Sequence, residues 1–268
     1  MSGVNEVLAH LQQAARTAQA IAPLPAEALD KQQGYALLRR GLAQRTAGGE
    51  RLSGWKVAFA GRAAQARFGL DEPVYGALTQ AMVVTPGSAV ACGRLIQPKL
   101  EVELALVFGQ TLAPGNYSDA QILASIAEVA PAFEIADCRW QGWQFGLGAF
   151  LADNAAAGLY CVGARVPFDV ARHACVAYRL EQGGVLLGSG DTQAREDSPL
   201  FNLCWLVRRL LADGHAVEAG QVVLSGALLA PLAIEPGAYR LHMLGTELAL
   251  DFHAGIAPAP TSAAVMDD

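Results

Sequence analysis

From Asp30 the chain reads DKQQGYALLRRGLAQR, with Tyr35, Leu38 and Leu42 returning at the intervals of one helical face. Asp30 stands at the N-cap, Gln33 occupies the capping-box position, and Gly48 and Gly49 mark the end. The preceding VNEVLAHLQQAARTAQAI has a helical pattern too, so residues 1–53 are expected to form a mostly helical N-terminal region. Around Trp55 the pattern changes to short apolar runs between glycine and proline turns, as strands require. Two helices are predicted among them. One runs from a Ser118 cap through Ile122, Ile126 and Val129; the other has Ser198 as cap and Pro199 at its first position, and passes Leu203, Trp205 and Leu210 to reach Gly214. The last runs, QVVLSG, LAIEPGAYRLHML and TELALDF, predict a meander, with EPGA carrying the type II turn signature. The pattern predicts an α+β fold with a mixed β-sheet over residues 54–255 and a frayed tail at 256–268.

Within that frame QPKLEVELALVFG, residues 97–109, is unusual. Alternation puts Glu101, Glu103, Ala105 and Val107 on one face of a strand and Leu100, Val102, Leu104, Leu106 and Phe108 on the other. Beyond Glu103 both faces are apolar, so the strand is covered on both sides and its carboxylates point into protein. Burying two neighbouring anions costs several kcal/mol per ion unless a cation lies between them. Further on, PAFEIADCRW reads as another strand, with Glu134 inside it and Asp137 and Arg139 after it. Three carboxylates from two strands supply hard oxygen ligands for Mg²⁺ or Mn²⁺. Spacing alone leaves a second reading open, in which Glu101 and Glu103 sit on an exposed edge paired with a cation such as Lys99.

Composition narrows the classes. The 268 residues are 53% hydrophobic and 16% charged, with a net charge of -6, which leaves little footprint for nucleic acid or an anionic membrane. No apolar run approaches the roughly 20 residues of a membrane span, and the start lacks the order of a secretory signal, so the expected location is cytoplasmic. The five cysteines form no CxxC pair and the five histidines no HxxxH pair, which argues against a zinc knot, a disulfide framework or a histidine-rich metal site.

Five segments, in order, carry a resemblance: SGWKVAFAGRAAQARFGLDEPVYGAL, QPKLEVELALVFG, VAPAFEIADCRW, DNAAAG and AGQVVLSGALLAPLAIEPG. Over roughly residues 30 to 253 the chain resembles the 2-keto-4-pentenoate hydratases. With the 4-oxalocrotonate decarboxylases these form a branch of the fumarylacetoacetate hydrolase superfamily. The resemblance implies a roll of mixed sheets with a small helical N-terminal part, and a divalent metal, Mg²⁺ or Mn²⁺, on Glu101, Glu103 and Glu134. It places Lys56 near the substrate, to pair with a carboxylate or relay a proton, and Ser225 at a strand end close to the ligand. Asp153 and Arg139 are further candidates for the substrate site, with Arg139 able to steady a metal carboxylate. The implied substrate is a 2-keto acid or its dienol, and the implied reaction is hydration of a 2-hydroxypenta-2,4-dienoate. The alternatives are decarboxylation or tautomerisation through the same enolate, or a catalytically reduced keto-acid-binding paralogue. A homo-oligomer is implied, with possible association with a pathway partner enzyme.

Some polar positions of the pattern are missing. Ala81 stands where the family places an aspartate, Ala156 where DNAS has its serine, and Ala60 where a threonine follows GWK. The loop QAREDSP replaces a glycine-containing stretch, and no histidine lies between Lys56 and Glu101 to form the His-Glu pair of the superfamily's hydrolases. The losses put water activation in question and leave the metal ligands intact. They also suggest an apolar pocket lined by Trp55, Trp140, Trp143, Phe145 and Phe150, with Ala60, Ala81 and Ala156 adding to it and Arg62 and Arg139 as the available cations.

Overall fold

Two helices lead the chain in the computed structural model, which describes residues 2–193 and 197–255. The tail expected to fray lies outside the described residues, as do residues 194–196 of the divergent loop. Helix α1 (Ser2–Thr17) is followed by α2 (Lys31–Ala47), whose Asp30 side chain accepts from Gln33 N while Gln33 returns a carbonyl oxygen to Asp30 N. Then come β1 (Leu52–Ala58), α3 (Arg62–Arg67), β2 (Val74–Thr79), β3 (Ala89–Ala91), β4 (Pro98–Phe108), α4 (Asp119–Ala124) and β5 (Ile126–Asp137). The helix α5 (Leu147–Ala152) precedes β6 (Ala157–Val162), β7 (Val166–Pro167), α6 (Val170–His173), β8 (Ala177–Gln182) and β9 (Val185–Asp191). Helix α7 (Pro199–Ala212), β10 (Val222–Leu224), β11 (Leu232–Ala233), β12 (Gly237–Met243) and β13 (Thr246–His253) complete the order. Among the described residues no helix is long and apolar enough to cross a membrane.

The strands form two sheets, one ordered β2-β1-β10-β4-β5-β6 with β11 on β4 and β7 on β5, the other β3-β13-β12-β8-β9. This is the mixed, helix-flanked α+β architecture that the pattern predicts, with two corrections. The helix capped by Ser118 stops at Ala124, because Ser125 Oγ turns back onto Ile122 O and the residues after it pair with β4. Ile126 and Val129 therefore belong to β5, where their β-branched side chains fit a pleated surface better than a helix. The expected C-terminal meander is also split. Only β12 and β13 form a hairpin, whereas β10 runs parallel to β1 and is inserted between it and β4. Gly237, with φ at 141°, opens β12 in a conformation that favours glycine.

The larger sheet is curled. Lys56, Leu224, Ala105 and Ala130 stand in one row across β1, β10, β4 and β5, and Glu134 lies further along β5. On a flat sheet, three strand spacings of about 4.8 Å and four residues of about 3.3 Å would separate Lys56 and Glu134 by about 19 Å. Two extended side chains and the contact between them cover only about 14 Å. Yet Lys56 Nζ lies 2.8 Å from Glu134 Oε1, so the sheet must roll up to bring the strands together. Its concave face carries small side chains at Ala105, Ala130, Ala132 and Ala157, while Leu100, Val102, Leu104, Leu106 and Phe108 join the main core on the convex face.

A strained turn closes one wall. Asn154, Ala155 and Ala156 all have left-handed φ, at 53°, 52° and 57°, a conformation that costs L-residues roughly 1–2 kcal/mol each. The Asn154 side chain accepts from Ala77 N and donates to Ala77 O, fastening the turn to β2. On the other side Arg139 holds it: the guanidinium pairs with the Asp153 carboxylate and also donates to the carbonyl oxygens of Asp153, Asp137 and Ala157. Both residues are buried, and burial pushes the Asp153 carboxyl up to about 6 against the pull of Arg139. Breaking a buried pair of this kind by removing one partner costs about 3–5 kcal/mol. Arg139→Ala should accordingly lose several kcal/mol in urea denaturation; an Arg139→Ala protein within about 1 kcal/mol of the parent would show that the turn holds itself.

Candidate metal centre

The register of β4 and β5 sets Glu101 directly opposite Glu134, and Glu103 lies on the same face two residues along. Like charges directly opposed across two strands destabilise a sheet. Here Glu103 and Glu134 are fully buried, while Glu101 is half-buried and borders the opening. One oxygen from each of the three lies within 4.8 Å of the others. Ligands that each stand 2.0–2.6 Å from one ion are themselves about 3–5 Å apart, so the set fits a single hard cation.

Two lysines, Lys56 and Lys99, supply positive charge here. Lys56 makes the ion pair with Glu134, and Gly226 N donates to Glu103 Oε2 at 2.7 Å. Apart from the Lys56 contact, Glu103 Oε1 and both oxygens of Glu134 have no partner among the described residues. Burial pushes the Glu101 carboxyl up to about 7, and the charge of Glu134 adds to it against Lys56 and Lys99. Glu103 is held well above the usual carboxylate range, first by burial and then by Glu134 and Glu101. Burial opposes the Lys56 ammonium, but the three glutamates together raise its pKa above that of an ordinary lysine. Three carboxylates beside one buried ammonium are short of two positive charges, which is the charge of Mg²⁺ or Mn²⁺. Unpaired oxygens, all-carboxylate ligands and spacing are all suited to such an ion.

The surroundings divide into an aromatic side and a polar notch. Lys99, on the same face as Glu101, places its Nζ 4.4 Å from the centre of the Trp143 ring. From Trp143 the rings run to Phe145, then to Phe150 and Phe59, with centroids 6.4, 4.8 and 4.4 Å apart, and Phe68 stacks beside them. Phe59 adopts φ of 54° and leads into Ala60. Opposite, β10 is followed by Ser225 and Gly226, the latter with φ at 99°; a methyl group on Gly226 would meet Ala60 Cβ at 3.2 Å and Asn202 Nδ2 at 3.3 Å.

Of the residues singled out in the sequence, Glu101, Glu103 and Glu134 form the cluster, Lys56 pairs with Glu134, and Ser225 directly precedes the Gly226 whose N–H binds Glu103. Arg139 and Asp153 do not join it. Arg139 steadies no metal carboxylate, because its donors are taken by Asp153 and by backbone oxygens. Trp55 leaves the expected lining as well: adjacent to Lys56 on a strand, it points to the opposite face, against Tyr75 and His215. Trp140 is buried with its Nε1 on Ala149 O, whereas Ala81 is exposed on a turn after β2 and adds no enclosed apolar surface. Spacing did not reveal Asn202, whose only signal is an amide in the otherwise apolar stripe LFNLCWL.

No family model matches the chain. It is 34% identical to 2-keto-4-pentenoate hydratase 1 of Dechloromonas aromatica over 78% of its own length and 80% of that protein. It is 33% identical to a 4-oxalocrotonate decarboxylase of Pseudomonas sp., over 73% of this chain and 76% of the other. Among solved structures, 4-oxalocrotonate decarboxylase from Pseudomonas putida G7, complexed with magnesium and adipate, superposes with a TM-score of 0.87 at 22% identity, covering 94% of this chain and 98% of that one. The identity over most of the chain shows the family, and the superposition shows the fold: the chain belongs with the 2-keto-4-pentenoate hydratases and 4-oxalocrotonate decarboxylases.

Proposed function

We propose that the protein is a divalent-metal-dependent lyase that hydrates a 2-hydroxypenta-2,4-dienoate-type substrate to a 4-hydroxy-2-keto acid, with Glu101, Glu103 and Glu134 holding Mg²⁺ or Mn²⁺. The observation that carries this reading is the three-carboxylate cluster, whose charge the ion pair of Lys56 with Glu134 offsets only in part. Bound there, the cation supplies Lewis-acid polarisation of a 2-keto group. The remaining work falls to the chain. Lys56 keeps its proton, so it serves as an ammonium that pairs with the substrate carboxylate or hands a proton to carbon. Gly226 N fixes the Glu103 carboxylate, Ser225 Oγ faces the ligand, and the Phe59–Phe150–Phe145 rings take the tail and exclude water. Arg139 and Asp153 act at a distance by shaping the strained turn. The oligomer is a homo-oligomer of these chains.

Decarboxylation of a vinylogous keto acid is the second reading, and a specific observation favours it. It requires no activated water, and Ala60 and Ala156 remove two of the hydroxyls that the family pattern supplies. The experiment that separates the two is metal-dependent turnover of 2-hydroxypenta-2,4-dienoate and of 4-oxalocrotonate, followed by their ultraviolet absorbance. Hydration predominates if the dienoate is consumed faster, and loss of both activities in EDTA is expected. No turnover of either, with keto acids still bound, would leave a binding protein.

Three outcomes follow for variants and substrates. Glu103→Gln removes one charge and keeps an acceptor for Gly226 N, so the metal-free variant should melt at or above the parent temperature, while added Mg²⁺ should no longer raise its melting point. A large drop in metal-free stability would make Glu103 a structural ion-pair partner instead. Lys56→Met should lower kcat by about 10²- to 10⁴-fold at saturating metal, the usual contribution of a proton-transfer group; an unchanged kcat would remove Lys56 from the chemistry. Against the aromatic wall a dienoate with an alkyl tail should turn over faster than its dicarboxylic analogue, since apolar burial contributes about 25 cal/mol per Å², whereas a second carboxylate would have to draw Arg67 off the Phe68 and Phe145 rings or Lys99 off Trp143. Faster dicarboxylate turnover would refute this.

A further inference from the structure

Asn202 sits in the first turns of α7, 2% exposed, beside Leu203, Leu206 and Val207, which pack into the core. Its amide nitrogen donates to Ser225 O at 2.8 Å and to Asp197 O at 3.1 Å. Both N–H bonds are thereby used, and the amide cannot be flipped without setting a carbonyl oxygen against two others. Asn202 Oδ1 is therefore an acceptor, and it has no partner among the described residues. Ser225 Oγ, on the residue that Asn202 holds, is fully buried and equally without a partner. Leaving a buried polar atom unmade costs about 1–3 kcal/mol, and here two such atoms lie on linked residues, one step from the Gly226 N that binds Glu103.

Their position explains why they are left open. The Asn202 amide, through its nitrogen, and Ala60 flank the same point above Gly226, with Oδ1 on the same amide group. Ala60 stands where the family pattern has a threonine, so the hydroxyl missing from the end of β1 is matched by an amide arriving from α7. We propose that Asn202 Oδ1, with Ser225 Oγ, forms a notch that takes an O–H group, either the attacking water or the 4-hydroxyl of the product. This rests on the reading of the site given above and adds a specificity residue to it. The chemistry is selective. An amide oxygen accepts from water or an alcohol and repels a carboxylate, so the notch recognises a hydroxyl and rejects an acid at that position.

The test is calorimetric binding to the Mg²⁺-loaded protein of two keto acids, 2-oxopentanoate and the hydration product 4-hydroxy-2-oxopentanoate, with ultraviolet absorbance checking that no dienoate accumulates. The parent protein should prefer the hydroxylated acid. Asn202→Ala and, separately, Ser225→Ala should each weaken it by about tenfold while leaving 2-oxopentanoate within about twofold, as loss of one buried hydrogen bond predicts. Ser225→Ala deletes an atom without protein partners, so that variant keeps its fold; melting curves check Asn202→Ala. Should Asn202→Ala fail to fold, a crystal structure of the parent decides, and a water or ligand hydroxyl within about 3 Å of Asn202 Oδ1 is expected there. Equal weakening of both acids by Asn202→Ala would show that it merely supports the Gly226 loop, and no weakening of either, or an empty notch in the crystal, would equally overturn the proposal. If the parent binds neither acid, the keto-acid reading itself fails, a result distinct from loss of the hydroxyl preference alone.

Discussion

Glu101 and Glu134 face each other across neighbouring strands, and a sheet keeps such a pairing only where positive charge lies between them. Much of the molecule can be traced to that requirement. Lys56 comes from a strand two places away from β4, and it reaches Glu134 because the sheet is rolled. The roll turns the glutamate-bearing face inward, where Ala105, Ala130 and Ala132 sit among larger neighbours such as Val107 and Leu224. Even with Lys56 in place the cluster lacks two charges, so the fold has arranged a site whose electrostatic deficit equals one divalent ion. The protein tolerates this because Glu103 keeps one strong hydrogen bond, from Gly226, and because Glu101 is only half-buried.

The parts of this that were legible in the sequence are those set by short-range rules. Alternation placed Glu101 and Glu103 on one face, the Asp30 and Ser198 caps located their helices, and the ordered segments brought in Glu134 and Lys56. The misreadings share one physical origin. Ile126 and Val129 fit a helical stripe as well as a strand, and only pairing with β4 decides between them. Similarly, QVVLSG looks like the first strand of a meander until β1 is seen to take it in parallel. Arg139 could have served any nearby carboxylate, and Asp153, brought close by the turn at Asn154–Ala156, is the one it meets. Trp55 was misplaced by proximity in sequence, although strand alternation alone sends it away from Lys56.

The alanines at positions 60 and 156 show how a site can change while its ligands stay fixed. Ala60 lies beside Gly226 and Ala156 in the strained turn, outside the strand positions whose register sets the three glutamates. Polarity at the margin is then free to return from another element, and α7 offers the amide of Asn202. The aromatic side, built from α5 and the segments around Phe59 and Phe68, varies independently of both. Register fixes the chemistry, and loops and helix ends tune what it acts upon.

The insertion of β10 between β1 and β4 also has a consequence for how the chain is made. Lys56 and its neighbour Leu224 are more than 160 positions apart, and pairing so distant in sequence forms late. While the ribosome is still adding residues, β1 and β4 each present an open edge, with two like-charged glutamates already carried on one of them. Only when Val222–Gly226 has emerged can the gap close and Gly226 N meet Glu103. Completion of the sheet and completion of the cation site are therefore a single event in synthesis, and a nascent chain cut short of that point holds neither.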